Sequence, residues 1–172
     1  MTILLAAMAV IALISGGPIA VLQGFAHLQT ASARLINDFT HYGSSVALFN
    51  SASVGALALI LVYFASISLS GPTLACVLTM MGFSLFGNTL LNTTPIILGV
   101  YLASKVAGKT FGAYSIIALF GTALGPLVTY IMFGLGLPLI ISIPLALACG
   151  ILALCGSLEI PKMIVSISLF WS

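Results

Sequence analysis

The sequence predicts an all-α fold, a polytopic transmembrane helical bundle. Of its 172 residues, 62% are hydrophobic and only 3% are charged, whereas soluble domains carry about 25% charged residues. The charge-free runs 1–33, 39–104 and 110–158 dominate the chain. A bilayer-spanning helix needs about 20 apolar residues, so these runs hold roughly one, two to three, and two spans. Such a composition excludes soluble enzymes, DNA-binding proteins and disordered tails.

The first predicted span occupies residues 1–26. It is interrupted by Ser15-Gly16-Gly17-Pro18, where we expect a kink or a break because proline lacks an amide hydrogen and clashes with the preceding turn. Residues 27–44 are predicted to form a polar loop that holds His27, Arg34, Asp38 and His41. Arg34 and Asp38 have the spacing of an ordinary solvated helical ion pair.

Residues 45–155 are predicted to form a helical repeat with spans near 45–66, 72–87, 111–133 and 138–155. Its segment 87–104 is predicted to be broken, because its first residues are too polar to face lipid. Only about ten apolar residues then follow Pro95, and they rise about 15 Å, half of the hydrocarbon core. At least one helix is therefore expected to be short or re-entrant. The tail 156–172 is expected to be irregular and to end a truncated chain.

The candidate substrate pathway consists of side-chain amides and hydroxyls at polar stretches of the predicted repeat. A broken helix that presents such groups offers donors and acceptors to a small polar solute. The same groups also bond helix carbonyls or hold helices together, and both interpretations stay open. Gly121 and Gly125 are predicted to allow close helix contact. The predicted pathway residues are Asn50, Ser51, Asn88, Asn92, Thr93, Thr94 and Thr122.

The chemistry of these candidates is that of a neutral pathway. The predicted spans contain no Asp, Glu, Lys, Arg or His, although proton pumps accept the cost of at least about 2.5 kcal/mol for such a residue. Sodium coupling is disfavoured but stays open. We expect no enzymatic activity and no cofactor, because the sequence offers no nucleophile–base pair or metal cluster. The isolation of Cys76, Cys149 and Cys155 in apolar sequence predicts no metal site. The net charge of +2 without a basic cluster predicts no nucleic-acid partner.

Three short motifs resemble one repeat of the bacterial urea transporters. Phe49-Asn50-Ser51, followed by Gly55-Ala56-Leu57-Ala58-Leu59, is similar to a re-entrant half-helix that leads into a glycine-leucine span. The other two motifs are similar to their Tyr-Asn-Ala-Thr-Leu-Val-Gly and Leu-Pro-Val-Phe-Thr-Leu-Pro-Phe segments. They are Asn92-Thr93-Thr94-Pro95-Ile96-Ile97-Leu98-Gly99 and Leu137-Pro138-Leu139-Ile140-Ile141-Ser142-Ile143-Pro144. The resemblance implies one half of a urea-transporter-like fold, with Asn50, Ser51, Asn92, Thr93 and Thr94 near a narrow pore that two such repeats enclose.

A closer likeness, over most of the chain, is to a bacterial multi-pass family known as domain of unknown function 1576. The likeness lies mainly in residues 92–99 and 109–126.

Together, these features predict a multi-pass protein of the bacterial cytoplasmic membrane that conducts a small neutral polar solute passively, as urea channels do. The lipid bilayer is its expected partner, with a second repeat or a homo-oligomer to complete the pathway. The alternative is a membrane subunit or fragment that does not transport.

Overall fold

The computed structural model describes residues 1–30, 39–138 and 140–152. Within these residues the chain is helical and contains no strand, as the sequence predicts. Arg34, Asp38, Cys155 and the predicted tail 156–172 lie outside them. The helices are α1 (Thr2–Gly16), α2 (Pro18–Gln29), a 3-10 turn (Phe39–Tyr42), α3 (Ser44–Phe64), α4 (Gly71–Phe83), α5 (Leu90–Val106), α6 (Phe111–Gly134) and α7 (Ile140–Leu152).

Two helices, α3 with 21 residues and α6 with 24, are long and apolar enough to cross a membrane. Helix α6 is irregular, with a 3-10 turn at Thr122–Leu124 and a π-helical turn at Tyr130–Gly134. Pro126 lacks the amide hydrogen that would bond the Thr122 carbonyl, and this carbonyl accepts a hydrogen bond from the Gly125 amide instead. The apolar helices indicate a membrane protein.

The predicted break in the first span lies at Gly17. There α1 and α2 meet at 110°, and Gly17 takes a left-handed φ of 77° that glycine adopts readily. Helices of 15 and 12 residues rise about 22 and 18 Å, so each is shorter than the hydrocarbon core. The pair is a broken span or a re-entrant element. Helix α2 continues to Gln29, so the start of the predicted polar loop, including His27, is helical.

The segment 87–104, predicted to be broken, is interrupted only before Leu90. A non-helical connection at 84–89 follows α4, and α5 then runs without interruption to Val106 with Pro95 inside it. The helix starts early because Thr89 caps it: the Thr89 hydroxyl accepts from the Asn92 amide, and the Asn92 side chain accepts from the Thr89 amide. This reciprocal capping box satisfies two amides of the first turn. With 17 residues, α5 rises about 25 Å and is short, as predicted.

Two apolar clusters hold the helices around this connection. The first joins α1, α3, α4 and α6 through Leu5, Val54, Met80 and Leu119. The second joins α5, α6 and α7 through Ile96, Val128 and Cys149. At the α5–α7 crossing the backbones touch, since a Cβ added to Gly99 would lie 2.3 Å from the Leu147 carbonyl oxygen. The connection 84–89 therefore links a helix of the first cluster to a helix of the second.

Candidate functional site

Polar side chains from several elements gather at the connection between α4 and α5. Asn50 comes from α3, Ser84, Asn88 and Thr89 from the connection, Asn92 from α5 and Thr129 from α6, and all six residues are buried. We call this set the polar centre. Its members are neutral amides and hydroxyls, so its electrostatics are those of dipoles without an ionised group.

Asn50 fixes the connection to α3. Its Nδ2 donates to the carbonyl oxygens of Ser84 and Asn88, each at 2.8 Å, and its Oδ1 accepts from Gln29 Nε2 at 3.3 Å. Both carbonyls belong to the non-helical connection, where they have lost their helical partners. The Asn50 carboxamide thus replaces those partners, as a buried irregular backbone requires in a membrane.

Asn92 fixes the other end of the connection. Its Nδ2 donates to the Gly87 carbonyl oxygen at 2.7 Å and to Thr129 Oγ1 at 2.6 Å, while its Oδ1 accepts from the Thr89 amide at 2.8 Å. A carboxamide has two N–H donors and one carbonyl acceptor. Asn92, like Asn50, therefore has every polar atom bonded to protein.

Gln29 links the bent α1–α2 pair to this site. While its Nε2 donates to Asn50, its Oε1 accepts from the Leu91 amide at the first turn of α5, also at 3.3 Å. One side chain therefore bridges α2, α3 and α5. The position of α2 is in this way coupled to the polar centre.

Asn88 differs from the other two asparagines. Its side chain is 1% exposed, yet neither Oδ1 nor Nδ2 has a hydrogen-bond partner among the residues that the structure describes. We call this group the open carboxamide. It lies against Gly125 of α6, where an added Cβ would be 2.4 Å from Asn88 Oδ1 and 2.8 Å from Asn92 Oδ1. Gly125 is therefore required for both asparagines to fit.

Asn88 also lines a cavity of about 650 Å³ between the connection and α6. Apart from Asn88, the wall of this cavity is apolar, and its lining residues are Phe83, Phe86, Ala123, Leu124, Pro126 and Leu127. A mostly apolar cavity with a single polar group is typical of sites that orient a small molecule. Two interrupted helices meet here, since the break before α5 lies beside the 3-10 turn of α6.

The predicted pathway residues separate into two groups. Asn50, Asn88 and Asn92 belong to the polar centre, whereas the hydroxyls of Ser51, Thr93, Thr94 and Thr122 each donate to a backbone carbonyl. Ser51 bonds the Met81 carbonyl oxygen of α4 at 3.0 Å and joins two helices. The hydroxyls of Thr93, Thr94 and Thr122 bond carbonyls three or four residues earlier, and Thr94 is exposed.

Sequence reasoning missed Gln29, Ser84 and Thr129, and it predicted for Gly125 a close helix contact. Thr129 gave a signal, because its hydroxyl directly follows the apolar stretch 123–128 of α6. Gln29 gave none beyond its polarity, since it stood in a region that appeared to be a loop. Among the described residues no three His, Cys, Asp or Glu lie together as metal ligands would.

No curated protein and no solved structure matches the chain, so the likeness to one half of a urea transporter stays a prediction. One family matches residues 18–170, and its description is "Protein of unknown function (DUF1576)". The match spans α2 to α7 and thus includes the polar centre. Because it covers most of the sequence, the chain belongs to the DUF1576 family.

Proposed function

We propose that this protein conducts a small neutral polar solute passively across the bacterial cytoplasmic membrane, in which it is a multi-pass protein. The observation that carries the proposal is the open carboxamide, which is buried at the meeting point of two interrupted helices and belongs to a residue that lines a cavity. Irregular backbone at membrane depth is tolerated where protein or a water-filled cavity satisfies it. Transporters often place their substrate sites at such discontinuous helices.

The neutrality of the polar centre supports a passive pathway for an uncharged solute. Proton relays and ion pathways in membranes generally use Asp, Glu, His, Lys or Arg, whereas this centre offers amides, hydroxyls and backbone carbonyls. The cavity wall is apolar except for Asn88. An ion that left water for such a wall would lose its hydration without compensation, while a small neutral solute loses far less.

The test is solute flux into liposomes that contain the purified full chain. Stopped-flow light scattering follows swelling under gradients of several small neutral solutes, and empty liposomes give the passive background. We expect swelling faster than background and saturable with concentration. Swelling at background rate, from protein shown to be helical and monodisperse, would overturn the proposal.

A membrane subunit without transport activity is the second candidate. It is favoured by the hydrogen bonding of Asn50 and Asn92, because every polar atom of these two carboxamides is already bonded to protein and holds the helices together. In that case the site would act in packing, and a second repeat or a homo-oligomer would supply any pathway. The liposome experiment separates the two candidates, because a folded packing subunit gives no flux by itself.

A further inference from the structure

The three asparagines of the polar centre differ in whether their side-chain hydrogen-bonding groups have partners in the protein. Asn50 and Asn92 use both N–H donors and the carbonyl oxygen on protein partners. Within the described part of the chain, Asn88 uses none of its side-chain groups. A buried polar group without a partner is costly, so an open carboxamide on a residue that lines a cavity points to a partner that binds there.

We propose that Asn88 is the residue that contacts the solute, and that the solute carries a hydrogen-bond acceptor and an N–H donor side by side on one planar group, as primary carboxamides do. This inference rests on the proposed function and names the class of solute. The Asn88 side chain presents an acceptor and a donor in the same plane. A primary carboxamide can meet both with two parallel hydrogen bonds, whereas an alcohol offers no such planar pair.

The surroundings of Asn88 favour a flat and neutral ligand. Phe83 and Phe86 line the cavity on one side, and Pro126, which has no amide hydrogen to offer, lines it on the other. Aromatic side chains and an apolar wall accept the flat surface of a carboxamide but supply no counter-charge for an ion. Among the described residues that line the cavity, only Asn88 has a polar side chain.

Access to Asn88 requires a small movement of the cavity wall, because both polar atoms of the side chain are buried. The backbone at Asn88 is held in place, since its carbonyl oxygen accepts a hydrogen bond from Asn50 Nδ2.

The test is nuclear magnetic resonance of the full chain labelled with ¹⁵N at asparagine and held in lipid nanodiscs. The sequence has four asparagines, at 37, 50, 88 and 92, and spectra of Asn→Ala variants assign their side-chain signals. Acetamide is the probe, and ethylene glycol, of similar size, is the control. We expect acetamide to shift the Asn88 signals saturably, with no saturable shift at Asn50 or Asn92 and none with ethylene glycol.

The outcomes separate this inference from the proposed function. A saturable shift at Asn88 without flux into liposomes would support the ligand site and overturn the transport proposal. Flux without any shift at Asn88, or equal shifts with acetamide and ethylene glycol, would overturn the inference and leave transport standing.

Discussion

The sharpest prediction compares two asparagines four residues apart, Asn88 and Asn92, by replacing each with alanine. Both side chains are about 1% exposed, so the substitutions remove the same atoms from similar burial. They differ in hydrogen bonding, because Asn92 has three protein partners and the open carboxamide has none in the described structure. We therefore expect Asn92→Ala to lower the free energy of unfolding much more than Asn88→Ala does.

The magnitudes follow from the partners that are lost. The bond from Asn92 to Thr129 joins α5 to α6, and hydrogen bonds between membrane helices average about 0.6 kcal/mol each. If the two local bonds of Asn92 are given the same value, its three bonds contribute about 2 kcal/mol. Leaving the buried Thr89 amide without its acceptor costs about 1–2 kcal/mol more. Asn92→Ala is thus expected to destabilise by roughly 3–4 kcal/mol. Asn88→Ala loses only packing contacts and removes an unsatisfied group, so its stability stays within about 1 kcal/mol of the wild type.

The assay is reversible unfolding in bicelles or mixed micelles, followed by circular dichroism, with Asn50→Ala as a third variant. Asn50 also has three partners, so Asn50→Ala should lose about as much stability as Asn92→Ala. The reasoning would be refuted if Asn88→Ala were destabilised as much as the other two. That result would mean that Asn88 has a structural partner in the folded protein.

Three further predictions follow from close contacts and from neutrality. Gly125→Ala should abolish flux and lower the free energy of unfolding by roughly 1–3 kcal/mol through overpacking, because the added Cβ meets the side-chain oxygens of Asn88 and Asn92. Gly82→Ala is the control, since its added Cβ has nothing within 4 Å, and it should unfold and conduct like the wild type. Equal effects of the two substitutions would contradict the site geometry. Gly99→Ala should lower the free energy of unfolding by at least as much as Gly125→Ala, since its added Cβ meets the backbone of α7. An unchanged free energy of unfolding would show that α5 and α7 do not cross at Gly99. Flux should be the same at every pH between about 5 and 8, and it should not change when choline replaces sodium, because the polar centre has neutral groups only. Loss of flux without sodium would favour sodium-coupled transport instead.

The class of fold and the position of one break were predictable from local sequence. The low charge and the length of the apolar runs predict a helical membrane protein, and Gly17-Pro18 marks the break between α1 and α2. The start of α5 was predicted too late. Thr89 and Asn92 form its capping box, but the usual box has Glu or Gln at the second position, so this signal was easily missed.

The members of the candidate site were predictable in part. Asparagine in an apolar region is unusual enough to identify Asn50, Asn88 and Asn92. Their separation into two bonded side chains and one open carboxamide was not predictable, because it depends on which carbonyls the folded connection 84–89 brings within reach. Gln29 was missed for a related reason, since its role arises only after α2 has turned back towards α3.

The most direct test of the central claim is acetamide uptake by liposomes that contain equal amounts of folded wild-type, Asn88→Ala or Ser53→Ala protein. Ser53 is the control, since its hydroxyl donates to the Phe49 carbonyl of its own helix at 2.8 Å. We expect Asn88→Ala to lower the protein-dependent rate about tenfold, which corresponds to the loss of roughly 1.4 kcal/mol of recognition, and Ser53→Ala to leave it unchanged. An Asn88→Ala protein that takes up acetamide as fast as the wild type would contradict the proposed role of Asn88.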